Sequence, residues 1–352
     1  MIIVRPRKIL CKFYKMKVIN LSLDKNILDK NSAVAQRAFL YEQKLDKYLV
    51  LTPNAGNKIL SFFKLYFFLK QTLKAEQFDL ITIQDIYFLP LITWFLQKKD
   101  NFKVEIQVHG FEKFNFLRKS LFKYNIKKAD LVRVVSLRLK KELVNNFKVA
   151  ENTIYIAPVA VDKNKFQNLN LANNKSEIFT FLTAGRLVAV KNIALQIKAL
   201  AAIKEDCRLI IVGSGVELDN LKSLVKKLNL EKRVSFIDWS DKLLEFYQQA
   251  DCFLLTSNSE GYAMVIAEAI LADLPVIMTD VGVAGDLVED NINGFVIPVN
   301  NLELLTEKMS TVISDDDLVA KFRNNANKFK DKILAKEELI NKVIDNWKLL
   351  CK

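Results

Sequence analysis

The segment SNSEGYAMVIAEAILADLPVI places two carboxylates, Glu260 and Glu268, with seven residues between them. The stretch before it, CFLLTS, reads as a strand ending near Ser257, and a helical pattern starts near Met264. Glu260 and Gly261 therefore fall in the connecting loop, where a glycine lets backbone come close to a ligand. The amides of Tyr262, Ala263, Met264 and Val265 form a helix start, and its unpaired N–H groups welcome an anion. Glu268 lies about one turn further on and can reach a group beside that anion. One carboxylate accepts two hydrogen bonds from a vicinal diol, which a ribose and a hexose both supply. Either acid alone reads as solvated. The strand–loop–helix context and the apolar neighbours Val265, Ile266 and Ile270 turn the reading toward a site.

A second group of candidates stands in TAGRLVAVKN, where a strand ends at Gly185 and Arg186 and Lys191 follow. A guanidinium and an ammonium at a strand's C-terminal end can clamp a diphosphate. Such a pair can do what Mg²⁺ does elsewhere and stabilise a departing phosphate. Taken alone, the two cations read equally as surface charges of a basic protein. The single histidine, His109, sits in VEIQVHGF, after a strand and before Gly110. A structural role and a ligand contact stay open for it. One histidine and four scattered cysteines (Cys11, Cys207, Cys252 and Cys351) make no metal site and no CxxC pair. The cysteines read as reduced thiols.

These residues need elements to hold them. Strand patterns fall at 17–21, 48–51, 80–83, 103–108 and 131–135. Helical patterns fall between them at 33–44, 58–74, 90–98 and 116–127. The second half repeats the scheme in IFTFLTAG, RLIIVGSG, RVSFIDW, CFLLTS, PVIMTD and GFVIPV, with helices at 191–203, 217–228, 242–250 and 264–272. Alternation of apolar strands with helices predicts parallel α/β sheets. At 352 residues two domains are expected. The loop NKFQNLNLANNKSE puts the boundary near Ala172, so that residues 1–172 and 173–335 form the domains. Residues 336–352 are a helix that packs back on the first. Two doubly wound domains create a cleft between them, and ligands belong beyond the carboxyl ends of the strands.

Charge is divided unevenly. Residues 1–150 hold 29 Lys and Arg against 12 Asp and Glu, a net +17, while the remainder carries −4 of the total +13. The first half thus seeks an anionic partner. Its segments KILSFFKLYFFLKQTLK and FEKFNFLRKSLFKYNIKK interleave aromatic residues with cations, as an interfacial helix on anionic lipid does. The bland reading of 58–74 is an amphipathic helix packed on its sheet. No stretch approaches the ~20 apolar residues of a membrane span, the nearest being 86–96 with Pro90 inside it. The opening residues 1–15 lack a signal peptide's apolar core. They read either as a membrane-leaning extension or as an upstream start preceding Met16. Nucleic-acid binding would use the same basic half, yet no helix-turn-helix, RRM or zinc signature is present.

SEGYAMVIAEA, GRLVAVKN, IVGSG, VHG and APVAVDKNKF together resemble glycosyltransferase family 4, the group 1 glycosyltransferases: retaining enzymes of the GT-B fold, two Rossmann-like domains facing an interdomain cleft. By this resemblance Glu268 holds the nucleotide's ribose and Glu260 positions a hydroxyl of the donor sugar. Arg186 and Lys191 neutralise the diphosphate. His109 hydrogen-bonds the donor sugar near its reacting carbon, and Gly261, Tyr262, Ala263, Met264 and Val265 cradle donor oxygens. The resemblance implies transfer with retention by same-face attack, no metal, and no cofactor beyond a nucleotide diphosphate sugar of UDP or GDP type. The expected acceptor is a saccharide or lipid-linked glycan. The expected place is cytoplasmic, at the anionic inner face of the plasma membrane. A GT-B sugar-nucleotide epimerase, a nucleic-acid binder and a non-catalytic scaffold are the rivals. The sequence departs from the family in three places. Ala263 replaces a common glycine, and the loop DKNSAVAQR lacks paired glycines. Trp239 stands where glycine is frequent, near the expected base pocket; core packing is its expected role, with stacking as the alternative.

Overall fold

Local signals set the helix starts. The Ser32 hydroxyl accepts from the Ala35 amide at 3.1 Å, and Ser136 does the same for Leu139 at 3.3 Å. Asn301 and Asp315 cap two later helices through the Leu304 and Leu318 amides. Each side-chain oxygen satisfies one of the N–H groups a helix start leaves unpaired. The structure is a computed structural model that describes residues 2–4, 14–53, 58–97, 101–110, 116–167, 178–239 and 243–352. Cys11, most of the stretch 1–15, residues 111–115 and most of the Asn- and Lys-rich loop lie outside the described residues.

The chain divides into two units, Met1–Pro158 with Lys336–Lys352, and Val159–Ala335. The division therefore falls after Pro158, not near Ala172. Residues beyond Pro158 bond to the second unit: the Val161 amide donates to the Leu334 carbonyl at 3.2 Å, and the Phe166 ring meets Tyr247 edge-on.

In the first unit the strands are β1 (Ile2–Val4), β2 (Tyr14–Leu21), β3 (Leu45–Thr52), β4 (Leu80–Ile83), β5 (Lys103–Val108), β6 (Leu131–Val134) and β7 (Ile154–Ile156). Their order is β1-β3-β2-β4-β5-β6-β7. All pairings are parallel except that of β1 with β3. The connecting helices are α1 (Ala33–Lys44), α2 (Lys58–Ala75), α3 (Leu89–Gln97), α4 (Phe116–Lys128) and α5 (Leu137–Phe147). Strand β4 is buried along its whole length and β6 likewise, as covering on both faces requires. Sequence patterning had not singled out β1, β7 or α5.

The second unit holds β8 (Phe179–Ala184), β9 (Cys207–Val212), β10 (Val234–Ile237), β11 (Cys252–Leu255), β12 (Val276–Thr279) and β13 (Gly294–Ile297). They are all parallel, in the order β10-β9-β8-β11-β12-β13. The helices are α6 (Ile193–Ala202), α7 (Leu218–Lys227), α8 (Leu243–Gln249), α9 (Met264–Leu271), α10 (Leu302–Ser314) and α11 (Asp316–Lys330). The strand order reverses between β8 and β11, and crevices for ligands open at such a reversal. Two glycines shape that edge. A Cβ on Gly213 would stand 1.9 Å from the Gly185 carbonyl oxygen. The loops after β8 and β9 therefore pack backbone against backbone.

The last helix, α12 (Lys336–Cys351), belongs to the first unit. Its Trp347 is fully buried, stacks on Tyr41 at 5.2 Å, and donates its indole N–H to Glu105 at 2.8 Å. Glu105 on β5 is itself fully buried and also accepts from Thr82 and Tyr155. Three donors thus satisfy one buried carboxylate, the condition under which burial of such a group is tolerable. Cys207, Cys252 and Cys351 are unpaired thiols. Trp239 is 61% exposed, which overturns the expectation of core packing: it follows the end of β10, beyond the last ladder position. No helix among the described residues is long and apolar enough to cross a membrane.

Replacement of Trp347 tests the tie between α12 and β5. Trp347→Phe keeps most of the buried area but removes one donor from Glu105, and is expected to cost about 1–3 kcal/mol. Trp347→Ala also opens a cavity and is expected to cost about 3–5 kcal/mol. Urea denaturation followed by far-UV circular dichroism measures both.

Candidate active site

The loops after β8 and β11 carry most of the chemistry read from the sequence. After β8 the chain runs through Gly185 and Arg186, then a single 3₁₀ turn, Ala189–Lys191, that ends at Asn192 with φ 48°. Asn192 opens α6 without a side-chain cap. The turn brings Lys191 back beside the strand end, with its Cε 3.9 Å from where a Gly185 Cβ would be. Arg186 is exposed; it and Lys191 line one pocket of about 210 Å³ together with Thr183, Gln196 and Thr256.

Lys191 and Glu260 meet directly: the ammonium lies 2.5 Å from the Glu260 Oε1, with the side chains 20% and 12% exposed. The Ser257 hydroxyl donates to the same oxygen at 2.6 Å. The loop behind them is braced by Thr279, whose hydroxyl donates to the Ser257 carbonyl at 2.6 Å. The Asn258 amide donates to the Val190 carbonyl at 2.8 Å. Gln196 donates to Thr256, whose hydroxyl in turn reaches the Asn192 carbonyl at 3.0 Å. The two loops at the reversal of strand order are thus stitched together by polar contacts. A Cβ on Gly282, in the loop after β12, would come within 3.0 Å of both the Tyr262 carbonyl oxygen and the Glu260 Cβ.

Helix α9 begins at Met264 with no side-chain cap. Its N-cap, Ala263, takes φ 72° and ψ 74°, a left-handed conformation that costs a non-glycine residue roughly 1 kcal/mol. Gly261 is half-buried and Met264 exposed, while the Tyr262 side chain is buried, so its amide is what it offers to an anion. Glu268 stands one turn into α9. Tyr247 of α8 donates to its Oε2 at 3.0 Å and shares the proton with the Val265 carbonyl at 3.3 Å. Desolvation pushes the Glu268 carboxyl above its ordinary value, opposed by the Tyr247 hydrogen bond and the charge of Lys165.

His109 lies in the first unit at the C-terminal end of β5, and the remaining candidates lie in the second. Its Nε2 is 3.4 Å from the Gln107 Oε1. The Gln107 amide nitrogen is committed to Thr82 at 2.7 Å, which leaves the oxygen for the ring. The imidazole is exposed at the end of the strand, with the mass of the unit behind it. Desolvation by that mass, followed by the charges of Arg133 and Arg37, holds its pKa well below the ordinary histidine value. The ring is neutral at pH 7.

Sequence reasoning missed Ser257, Tyr247, Gln196 and Gly282. Ser257 stood inside the quoted motif, three residues before Glu260. Tyr247 gave no signal, because nothing in LLEFYQQA ties it to a carboxylate 21 residues on.

Glu268 generates a test with a defined sign. A carboxyl whose folded pKa is raised contributes stability that is present below the unfolded pKa and lost as pH rises through the folded one. Glu268→Gln keeps an acceptor for Tyr247 and removes the buried charge. At pH 7–8 it is expected to raise the melting temperature, the gain vanishing as pH falls below about 4.3, the unfolded value. Melting curves from pH 4 to 8 check this. Ala263→Gly is expected to add about 1 kcal/mol by relieving the left-handed strain, read from urea midpoints.

Residues 162–329 match the family described as glycosyl transferases group 1. A curated relative from Campylobacter jejuni, N-acetylgalactosamine-N,N'-diacetylbacillosaminyl-diphospho-undecaprenol 4-alpha-N-acetylgalactosaminyltransferase, is 31% identical over 200 residues, 56% of this chain and 55% of that one. The chain spans about half the length of the first curated relatives it matches. Among solved structures, a glycosyltransferase from Rickettsia africae superposes with a TM-score of 0.78 at 18% identity, covering 96% of this chain and 99% of that one. Anabaena HepE in complex with UDP and glucose superposes at 0.74 and 19% identity, covering 95% and 100%. The fold is GT-B, and residues 162–329 match the group 1 glycosyltransferase family.

Proposed function

We propose that this protein is a retaining glycosyltransferase, moving a hexose-type sugar from a nucleoside diphosphate sugar to a saccharide or lipid-linked acceptor. The observation that carries the reading is the Lys191–Glu260 pair beside Arg186 at the reversal of strand order, followed by the uncapped start of α9. A diphosphate supplies anionic oxygens to Arg186, Lys191 and the first amides of α9. A sugar hydroxyl supplies a donor to Glu260 once Lys191 turns to phosphate. Glu268, fixed by Tyr247, accepts from the two hydroxyls of a ribose. His109, neutral, hydrogen-bonds the donor sugar near its reacting carbon.

In this reading the bond between the anomeric carbon and the diphosphate oxygen breaks while the acceptor oxygen attacks on the same face. The acceptor's proton passes to the departing phosphate oxygen. Arg186 and Lys191 carry the charge that develops there, the task a metal performs elsewhere. The complex of HepE with UDP and glucose and the diphospho-undecaprenol acceptor in the name of the Campylobacter relative support donor and acceptor class. The group 1 match gives no support to the nucleic-acid reading and leaves the epimerase without a specific observation in its favour.

The acceptor side suits an anionic membrane surface. Leu65, Leu69 and Leu73 of α2 are buried, one face of the helix, while Leu60, Phe63 and Phe67 form a second, exposed apolar face. Phe116 and Leu117 of α4 are exposed beside Arg118 and Lys119. Exposed aromatic residues among cations are what an interfacial helix presents to lipid. The inner face of the plasma membrane is the place this reading assigns.

A thermal-shift panel of UDP, GDP and ADP sugars tests the donor site. One nucleotide is expected to stabilise the protein by ~2.7 kcal/mol at 100 times its Kd, and Arg186→Ala is expected to abolish the shift. No shift with any nucleotide sugar would sink the proposal. Flotation with vesicles tests the surface: binding is expected with anionic lipid only, and Phe63→Ser with Phe67→Ser is expected to remove it. Product anomers resolved by NMR separate retention from inversion.

A further inference from the structure

A second polar cluster lies wholly within the first unit. Asn20, Arg37, Tyr41, Tyr48, Gln107 and Arg133 line a small polar pocket. Arg133 comes from the middle of β6 and is only 3% exposed. A buried guanidinium needs an anion or several acceptors. Its nearest candidate, Glu105 on the neighbouring strand, is already occupied by Thr82, Tyr155 and Trp347. No ion pair joins Glu105 to Arg133 among the described residues.

The pocket's own polar atoms are equally unmatched. Among the described residues the Arg133 Nε, the Tyr41 hydroxyl and the Asn20 Oδ1 are buried with no hydrogen-bond partner. The Tyr41 hydroxyl lies against Arg133, close enough for the guanidinium to act on it. Arg37, on α1, adds a second positive charge at the rim. The field of both arginines reaches His109, which neighbours the pocket through Gln107.

We propose that this pocket is a subsite for a single carboxylate on the acceptor sugar, held by the Arg133 fork with Arg37 and the Tyr41 hydroxyl. A planar pair of oxygens matches a guanidinium edge and leaves the sugar ring at the mouth. The Asn20 oxygen, an acceptor, disfavours the third anionic oxygen of a phosphate. Calling the ligand an acceptor rests on the transferase reading; the carboxylate site itself does not.

The chain has one histidine, so a single imidazole resonance reports on the pocket. Full-length protein is titrated with methyl glucuronide, methyl glucoside and glucose 6-phosphate, watched by that resonance and by calorimetry. The glucuronide is expected to bind about tenfold or more tighter than the glucoside, a difference of ~1.4 kcal/mol. It is also expected to raise the pH at which the imidazole titrates, as it screens the two arginines. Arg37→Ala, a rim substitution that folds independently of the buried charge, is expected to weaken the glucuronide several-fold, and Arg133→Lys to weaken it further. UDP stabilisation is expected to be unchanged in both. Equal binding of glucuronide and glucoside, no binding of either, tighter binding of the phosphate, or insensitivity to Arg37→Ala overturns the proposal. Glucuronide binding without any nucleotide effect would keep this site and remove the transferase reading.

Discussion

An ammonium and a carboxylate held 2.5 Å apart at the reversal of strand order constrain what can bind there. Each is mostly shielded from water, so neither can lose the other without replacement. A nucleoside diphosphate satisfies Lys191 but leaves the Glu260 charge beside phosphate. A free sugar satisfies Glu260 but leaves the ammonium where it was. A molecule with hydroxyls next to a diphosphate serves both at once. On the proposed donor reading the pair favours the joined ligand over its parts, in the sense that catalytic sites favour groups delivered in fixed relation.

Backbone geometry makes that pair reproducible. Lys191 returns to the strand end because Asn192 turns left-handed, and Glu260 is pinned by the Ser257 hydroxyl and the Thr279 brace. Glycines 213 and 282 let neighbouring loops close to backbone contact, where any side chain would collide. Ala263 is the exception to glycine use in this edge, since it accepts a left-handed conformation with its Cβ in place. Local strain of this kind survives only when its surroundings determine it, and it is commonest where chemistry is done.

Much of this was legible because it is local. Strand and helix periods gave the core elements of both sheets to within a few residues, and the motifs around Glu260, Glu268, Arg186 and Lys191 lie in contiguous stretches. Parallel-sheet topology then delivers the ends of β8 and β11 to one edge. Contacts between distant segments were not legible. Tyr247 meets Glu268 from another helix, and Trp347 meets Glu105 across 242 positions. The division after Pro158 was hidden because residues 159–167 look like linker, yet their bonds run to Leu334 and Tyr247. Trp239 misled because size suggests burial, whereas its place beyond the last rung of β10 leaves it in water.

Arg133 shows the same limit from the other direction. LVRVV reads as a nearly apolar parallel strand covered on both faces, and β6 is buried along its length with Arg133 among its buried residues. Its environment is assembled from β2, α1, β3 and β5, four segments with no shared spacing in sequence. A structural role alone would be filled by pairing it to Glu105, as folding stability favours matched buried charges. Instead the carboxylate accepts from two hydroxyls and an indole, and the buried guanidinium lines the polar pocket beside Tyr41. Glu105 still acts on Arg133 through its charge but shares no hydrogen bond with it, which leaves the guanidinium's donors to the ligand of the proposed subsite.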